Sequence, residues 1–136
     1  VQVTSMEWGA CPVEDEEQTV TQVLGSACSV SYSMNDNFLW EPFARLVLSA
    51  SYEATLWAAL LTALRHRSAE GSRRVYLTCL GGGVFGNESR WITDAMHDAF
   101  SKFKNCGLEV YIVTYSGPYG RDLTMLENTF GGSSRW

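Results

Sequence analysis

The pattern of this 136-residue chain predicts an α/β domain: a three-layer α/β/α arrangement with a mixed, largely parallel sheet. Three observations carry that expectation. Apolar and β-branched runs alternate with long stretches of 3.6-residue periodicity, in the order strand, helix, strand, helix, strand between residues 19 and 116. The run Val75-Tyr76-Leu77-Thr78-Cys79-Leu80 is short and almost continuously apolar, as expected of a parallel strand covered on both faces. It feeds four glycines within six positions, and a strongly amphipathic segment follows at once.

Residues 1–18 form a lead-in, with a short strand expected over residues 1–6. Gly9, Pro12 and the run Glu14-Asp15-Glu16-Glu17 read as a solvated loop, because adjacent carboxylates on an extended segment point different ways and do not converge on a metal. Thr19-Val20-Thr21-Gln22-Val23-Leu24 is rich in β-branched residues and reads as a strand of the main sheet. Gly25 and Ser26 interrupt it. Residues 28–32 either continue the strand beyond a bulge or form a loop. Ser33-Met34-Asn35-Asp36-Asn37 is turn chemistry, and Pro42 is placed in a first helical turn.

A long helix is expected over residues 39–66. Phe43, Leu46, Ala50, Ala54, Trp57, Leu61 and Leu64 recur every three or four residues as one continuous apolar stripe, widened by Val47, Ala58 and Leu60, so the helix is expected to be covered on more than one side. Arg65, His66 and Arg67 suit the negative end of the helix dipole, and Gly71 stops the segment. His66 therefore reads as an end-of-helix cation, and Glu53 as a partly exposed carboxylate. In the next helix Asn87 is the expected N-cap, and Trp91, Ile92, Ala95, Met96, Ala99, Phe100 and Phe103 make the buried face, with Gly107 as the terminating residue. Asp94, His97 and Asp98 fall on the solvated side, where neither desolvation nor a cleft favours proton transfer. Residues 108–115 are the last strand, residues 116–120 a loop, residues 122–130 a short helix, and residues 131–136 a tail. No internal repeat or linker divides the chain, so 1–136 is read as one domain with its core at 19–116.

Composition narrows the function. A 46% hydrophobic content is that of a globular protein with a core to bury, and a net charge of −5 without a basic run argues against non-specific nucleic-acid binding. No stretch of eighteen uninterrupted apolar residues and no basic-then-apolar leader is present, so neither a membrane span nor a signal peptide is expected. Cys11, Cys28, Cys79 and Cys106 are scattered and form no C-x-x-C pair; they read as reduced, small apolar side chains of a cytoplasmic or nucleocytoplasmic protein, with no metal site and no cofactor.

The glycine turn is the functional signal. Gly81-Gly82-Gly83-Val84-Phe85-Gly86-Asn87 lies between a strand and a helix N-terminus, where backbone N–H groups and the positive end of the dipole meet a phosphate. In open α/β sheets ligands bind beyond the C-terminal strand ends. Leu80, Leu24 or Ser26, and Tyr115 are expected along that edge. A phosphate would take N–H groups from residues 82–87, Phe85 would pack on a sugar, and Tyr115 or Tyr119 on a base. A P-loop is excluded because no Lys-Ser/Thr follows the glycines. Gly81, Gly83 and Gly86 satisfy G-x-G-x-x-G, but the acid a Rossmann site places at the end of the next strand is missing from Thr114-Tyr115-Ser116-Gly117. A Rossmann-type dinucleotide binder stays open as an alternative.

At these residues the chain resembles the macrodomain family, whose members recognise ADP-ribose. The resemblance covers about residues 19–116, the C-terminal two-thirds of such a domain. Gly81-Gly82-Gly83-Val84-Phe85-Gly86 is similar to the family's small-residue triplet, aliphatic residue, aromatic residue and glycine. The preceding helix with Tyr52, and the last strand ending in an aromatic residue, are similar too. The resemblance implies that the loop wraps a diphosphate, with Phe85 near the distal ribose and Tyr115 near adenine. The implied ligand-binding set is Gly81, Gly82, Gly83, Val84, Phe85, Gly86, Asn87 and Tyr115. It also implies an ADP-ribose or ADP-ribosylated protein partner.

The family's first strands have no counterpart in residues 1–18, which implies either an incomplete or truncated domain whose fold a preceding segment completes, or a half-site that has been lost. The glycine-rich form also resembles poly(ADP-ribose) glycohydrolase loops, but the paired glutamates of those enzymes are not beside this one. Two other readings accompany ADP-ribose binding. One is an ADP-ribosyl hydrolase with catalytic residues on a missing N-terminal segment; the other is a structural or interaction module with a vestigial site.

Overall fold

A computed structural model describes residues 2–5, 20–67, 69–115 and 120–131. It is a mixed α/β structure. In chain order it contains β1 (Gln2–Ser5), β2 (Thr21–Leu24), a single 3-10 turn (Val30–Tyr32), α1 (Asn37–Arg65), β3 (Arg74–Thr78), α2 (Ser89–Phe103), β4 (Glu109–Val113) and α3 (Arg121–Phe130). The acidic run 14–17, Cys11, Tyr119 and the tail beyond residue 131 lie outside the described residues.

The strand expected in residues 1–6 is present as β1. It pairs antiparallel with β2, Gln2 opposite Leu24 and Ser5 opposite Thr21. The β-branched run thus forms a strand, but not in the expected place: β2 hydrogen-bonds β1 and is not a neighbour of β3. Thr62 in α1 donates from its Oγ1 to Thr21 Oγ1 at 3.1 Å, so β2 is also tied to the long helix. After β2 the chain does not continue as a strand; it loops through the buried Ala27 and Cys28 into the 3-10 turn.

Helix α1 starts two residues earlier than its periodicity indicates, with Asp36 as N-cap, which places Pro42 inside the helix. The larger correction concerns its orientation. The buried face is Ala44, Leu48, Ser51, Tyr52, Leu56 and Ala63. The apolar stripe, expected to be covered, is turned outward: Phe43, Leu46, Trp57, Leu61 and Leu64 are each about half exposed or more. Small residues on the inner face explain the choice. Ala44, Ser51 and Ala63 let the helix approach α2 and β3 closely, while Leu48 and Leu56 fill the space between. By length and composition α1 is also apolar enough to cross a bilayer, which the expectation from uninterrupted apolar runs did not register.

The second helix follows its pattern. Trp91, Ile92, Ala95, Met96, Ala99 and Phe103 are buried as expected, with Thr93 added and Phe100 only partly covered. Arg45 on α1 bonds Asp94 on α2 at 2.8 Å and Glu41 at 2.7 Å, and Lys102 pairs with Glu53. These ion pairs are partly exposed and contribute little beside the shared core. The Lys102 ammonium holds the Glu53 carboxyl below its usual value. The helix ends at Phe103 with Lys104 as C-cap, so Gly107 belongs to the turn into β4 rather than to the helix terminus.

Strands β3 and β4 pair in parallel, Arg74 opposite Glu109 and Thr78 opposite Val113. Val75 and Leu77 join the core with α1 and α2. The alternate residues do not: Tyr76 is 64% exposed and stacks on Tyr111 with ring centroids 5.3 Å apart. The expectation of a strand covered on both faces is therefore corrected to coverage on one face. Tyrosine explains the misreading, because its ring counts as apolar in a pattern while its hydroxyl tolerates water. α3 packs on α2, with Leu126 buried and Phe130 edge-on to Phe100 and His97.

Candidate functional site

A hollow of about 460 Å³ opens where β3 and β4 end. Thr78 and Cys79 line it from β3 and the residue after it, and Val113, Thr114 and Tyr115 from β4 and the residues after it. Gly82 and Gly83 line it from the turn, Asn87 from the approach to α2, and Ser89, Ile92 and Thr93 from the helix. Leu123 of α3 closes one side. The turn and Tyr115, separated by some thirty residues of sequence, thus meet across one space. Leu24 and Ser26, expected on the same edge, do not line it, because β2 belongs to the other sheet.

The four glycines divide into two pairs. Gly81 and Gly86 have φ of +76° and +71° and serve the turn. A Cβ on Gly81 would lie 2.6 Å from Asn87 Nδ2 and overlap the Ala27 methyl, and one on Gly86 would overlap the Ser31 hydroxyl. Neither lines the hollow. Gly82 and Gly83 do, and nothing lies within 4 Å of where a Gly83 Cβ would stand. Val84 is 75% exposed, and Phe85 packs edge-on to Tyr32 at 6.3 Å, away from the hollow. Of the residues expected to bind a ligand, the structure brings together Gly82, Gly83, Asn87 and Tyr115.

The main-chain donors are correspondingly selective. Gly82, Gly86 and Asn87 donate to the carbonyls of Cys79, Gly83 and Gly81 within the turn. Among the described residues, the N–H groups of Gly83, Val84 and Phe85 find no acceptor. The expected row of donors over residues 82–87 thus shortens to three consecutive amides. α2 begins with Glu88 as N-cap and no side-chain cap, so the first N–H groups of the helix, Ser89 among them, add to the same positive end.

Asn87 is not the helix cap it was expected to be. Its side chain is buried, and Nδ2 donates to Cys28 O at 2.8 Å and to Gly81 O at 3.2 Å, stapling the loop after β2 to the glycine turn. Its Oδ1 is buried with no partner among the described residues. Ser31 N–H donating to Phe85 O at 3.0 Å completes the staple. Tyr52 supports the turn from beneath: its hydroxyl donates to Thr78 O at 2.8 Å and accepts from Leu80 N–H at 2.9 Å. Burial pushes this phenol well above its ordinary value of 10.0, against the opposing pull of the Leu80 N–H. The positioning roles of Asn87 and Tyr52 were not legible in the sequence: Tyr52 entered only through the family resemblance, and an asparagine before a helix reads as a cap.

Among the described residues, no carboxylate, imidazole or lysine lines the hollow. Cys79, the thiol among the described lining residues, is pushed above 9.0 by burial, which disfavours the thiolate a nucleophile requires. The walls formed by the described residues supply backbone donors, small hydroxyls and an aromatic ring. Comparison with known proteins adds no name to this geometry: no known family, curated protein or solved structure matches the chain.

Proposed function

We propose that the hollow binds a nucleotide diphosphate, with ADP-ribose, free or attached to a protein, as the leading ligand. The observation that carries this reading is the convergence of Gly83, the α2 N-terminus and Tyr115 on a single hollow at the C-terminal strand edge. The volume falls in the range of about 300–1,000 Å³ usual for small-molecule sites. The uncommitted Gly83 amide at the hollow, with those of Val84 and Phe85 next to it in the turn, and a helix dipole suit a phosphate group. Tyr115, fully exposed, offers its ring face to a base. Next to the hollow the buried Asn87 Oδ1 has no hydrogen-bond partner among the described residues, which costs about 1–3 kcal/mol.

The reading includes a macrodomain-like three-layer sheet, in which further strands and a second helical layer would cover Tyr76 and Tyr111. Among the described residues the hollow has no carboxylate, whereas glycoside hydrolysis uses a pair of them, and this supports the binding reading. The exposed tyrosine face supports a second reading, an interaction module whose site is vestigial.

Titration calorimetry with ADP-ribose, ADP and NAD decides between them. Binding of ADP-ribose is expected, and Gly83→Val, whose side chain projects into space that is free of the protein's own atoms, is expected to weaken it at least ~100-fold by filling the phosphate position. Heats of dilution alone for all three nucleotides would leave the interaction module.

A further inference from the structure

The outward stripe of α1 reads nearly the same from either end. Leu39, Phe43, Leu46 and Ala50 lead inward from the N-terminal side; Leu64, Leu61, Trp57 and Ala54 lead inward from the C-terminal side. Three bulky apolar residues and then a small one come first in both directions, with spacings that match to within one residue. The six large side chains are between 49% and 64% exposed, whereas the opposite face of the same helix is buried. The stripe itself carries no charge. Glu53, beside it, is engaged by Lys102.

We propose that this stripe is the interface of a two-fold dimer, formed by antiparallel packing of α1 on the α1 of a second copy. A two-fold interface must be complementary to itself, and a stripe that reads the same from both ends sets bulky residues against bulky ones and small against small when the two helices run antiparallel. Leu39 then faces Leu64 of the partner subunit, Phe43 the partner's Leu61, and Leu46 the partner's Trp57. Ala50 meets the partner's Ala54 at the crossing point. Small residues at the centre let the axes approach to about 8–10 Å, and the large ones interdigitate on either side. Antiparallel pairing also sets opposed helix dipoles side by side. The six side chains offer on the order of 600 Å² of apolar surface per copy, near the roughly 800 Å² per partner of a stable interface. A helix buried on its inner face by its own core, and apolar on its outer face, has its second requirement met by the same helix in a second copy.

Sedimentation equilibrium on the intact chain tests this directly. The wild-type protein is expected to be a dimer at about 100 µM, and Phe43→Glu and Leu61→Lys each to weaken it at least ~100-fold by placing a charge in the apolar seam. Both positions are exposed, so each variant should keep the wild-type circular dichroism. Mixing the two variants in equal amounts is expected to restore a heterodimer, because the antiparallel register sets Glu against Lys on one side and leaves the native Leu–Phe pair on the other. A monomeric wild type overturns the proposal, including one that binds phosphatidylcholine vesicles instead. So do single variants that remain dimeric, and a mixture that stays monomeric.

Discussion

Gly81→Ala will cost roughly 2–5 kcal/mol of stability, a large share of the 5–15 kcal/mol that holds a domain of this size together. Two causes add. The residue has φ of +76°, where an L side chain is strained, and its Cβ would overlap the Ala27 methyl while crowding the Asn87 amide. Relief by moving Asn87 is itself expensive, because that amide holds Cys28 O and Gly81 O together. Gly83→Ala, two residues on, has neither problem and should stay within about 0.5 kcal/mol of wild type. Urea denaturation of the two variants side by side measures the contrast. Equal midpoints would mean that the turn is not built on Gly81 as described.

Tyr52→Phe will lower stability by about 1–3 kcal/mol and alter its pH dependence. The substitution keeps the ring and removes one oxygen, leaving Thr78 O without its side-chain donor at the point where β3 enters the turn. The pH effect follows from burial. Below 10.0, the ordinary phenol value, both folded and unfolded chains hold the proton, and the stability linked to it is fully present. As pH rises through 10.0 toward the higher folded value, the unfolded chain releases a proton that the folded chain keeps, so folding stability falls. Cys79 contributes in the same direction from 9.0 upward. Tyr52→Phe should therefore be less stable than wild type at pH 7 and lose less on going from pH 9 to pH 11. Denaturation series at several pH values check both; parallel losses in the two proteins would remove Tyr52 from this role.

The parts of the fold legible in the sequence are those with one apolar face. α2 carries polar residues such as Arg90, His97 and Asp98 opposite Trp91, Ile92 and Met96, so periodicity identifies its inner side. α1 is apolar on both sides, and periodicity then picks out the face with the larger side chains. Those are the outer ones, because the inner face needs small residues for close packing. The strand β2 was legible as a strand, but its β-branched residues carry no information about which strand it pairs with, and β1 rather than β3 is its neighbour. The glycine turn was legible as a feature and not as a division of labour. Only the positive φ of Gly81 and Gly86, and the open space at Gly83, separate the residues that make the turn from those that border the hollow.

Amide chemical shifts of the ¹⁵N-labelled protein, followed while ADP-ribose is added, test the binding site most directly. The amides of Gly83, Val84 and Phe85, which have no acceptor among the described residues, should move most, with Ser89 and Tyr115 following and residues of the outer α1 stripe unmoved. Shifts that leave Gly83, Val84 and Phe85 in place, or no shifts at all at millimolar-scale ligand (about 1 mM), would contradict a phosphate-binding turn.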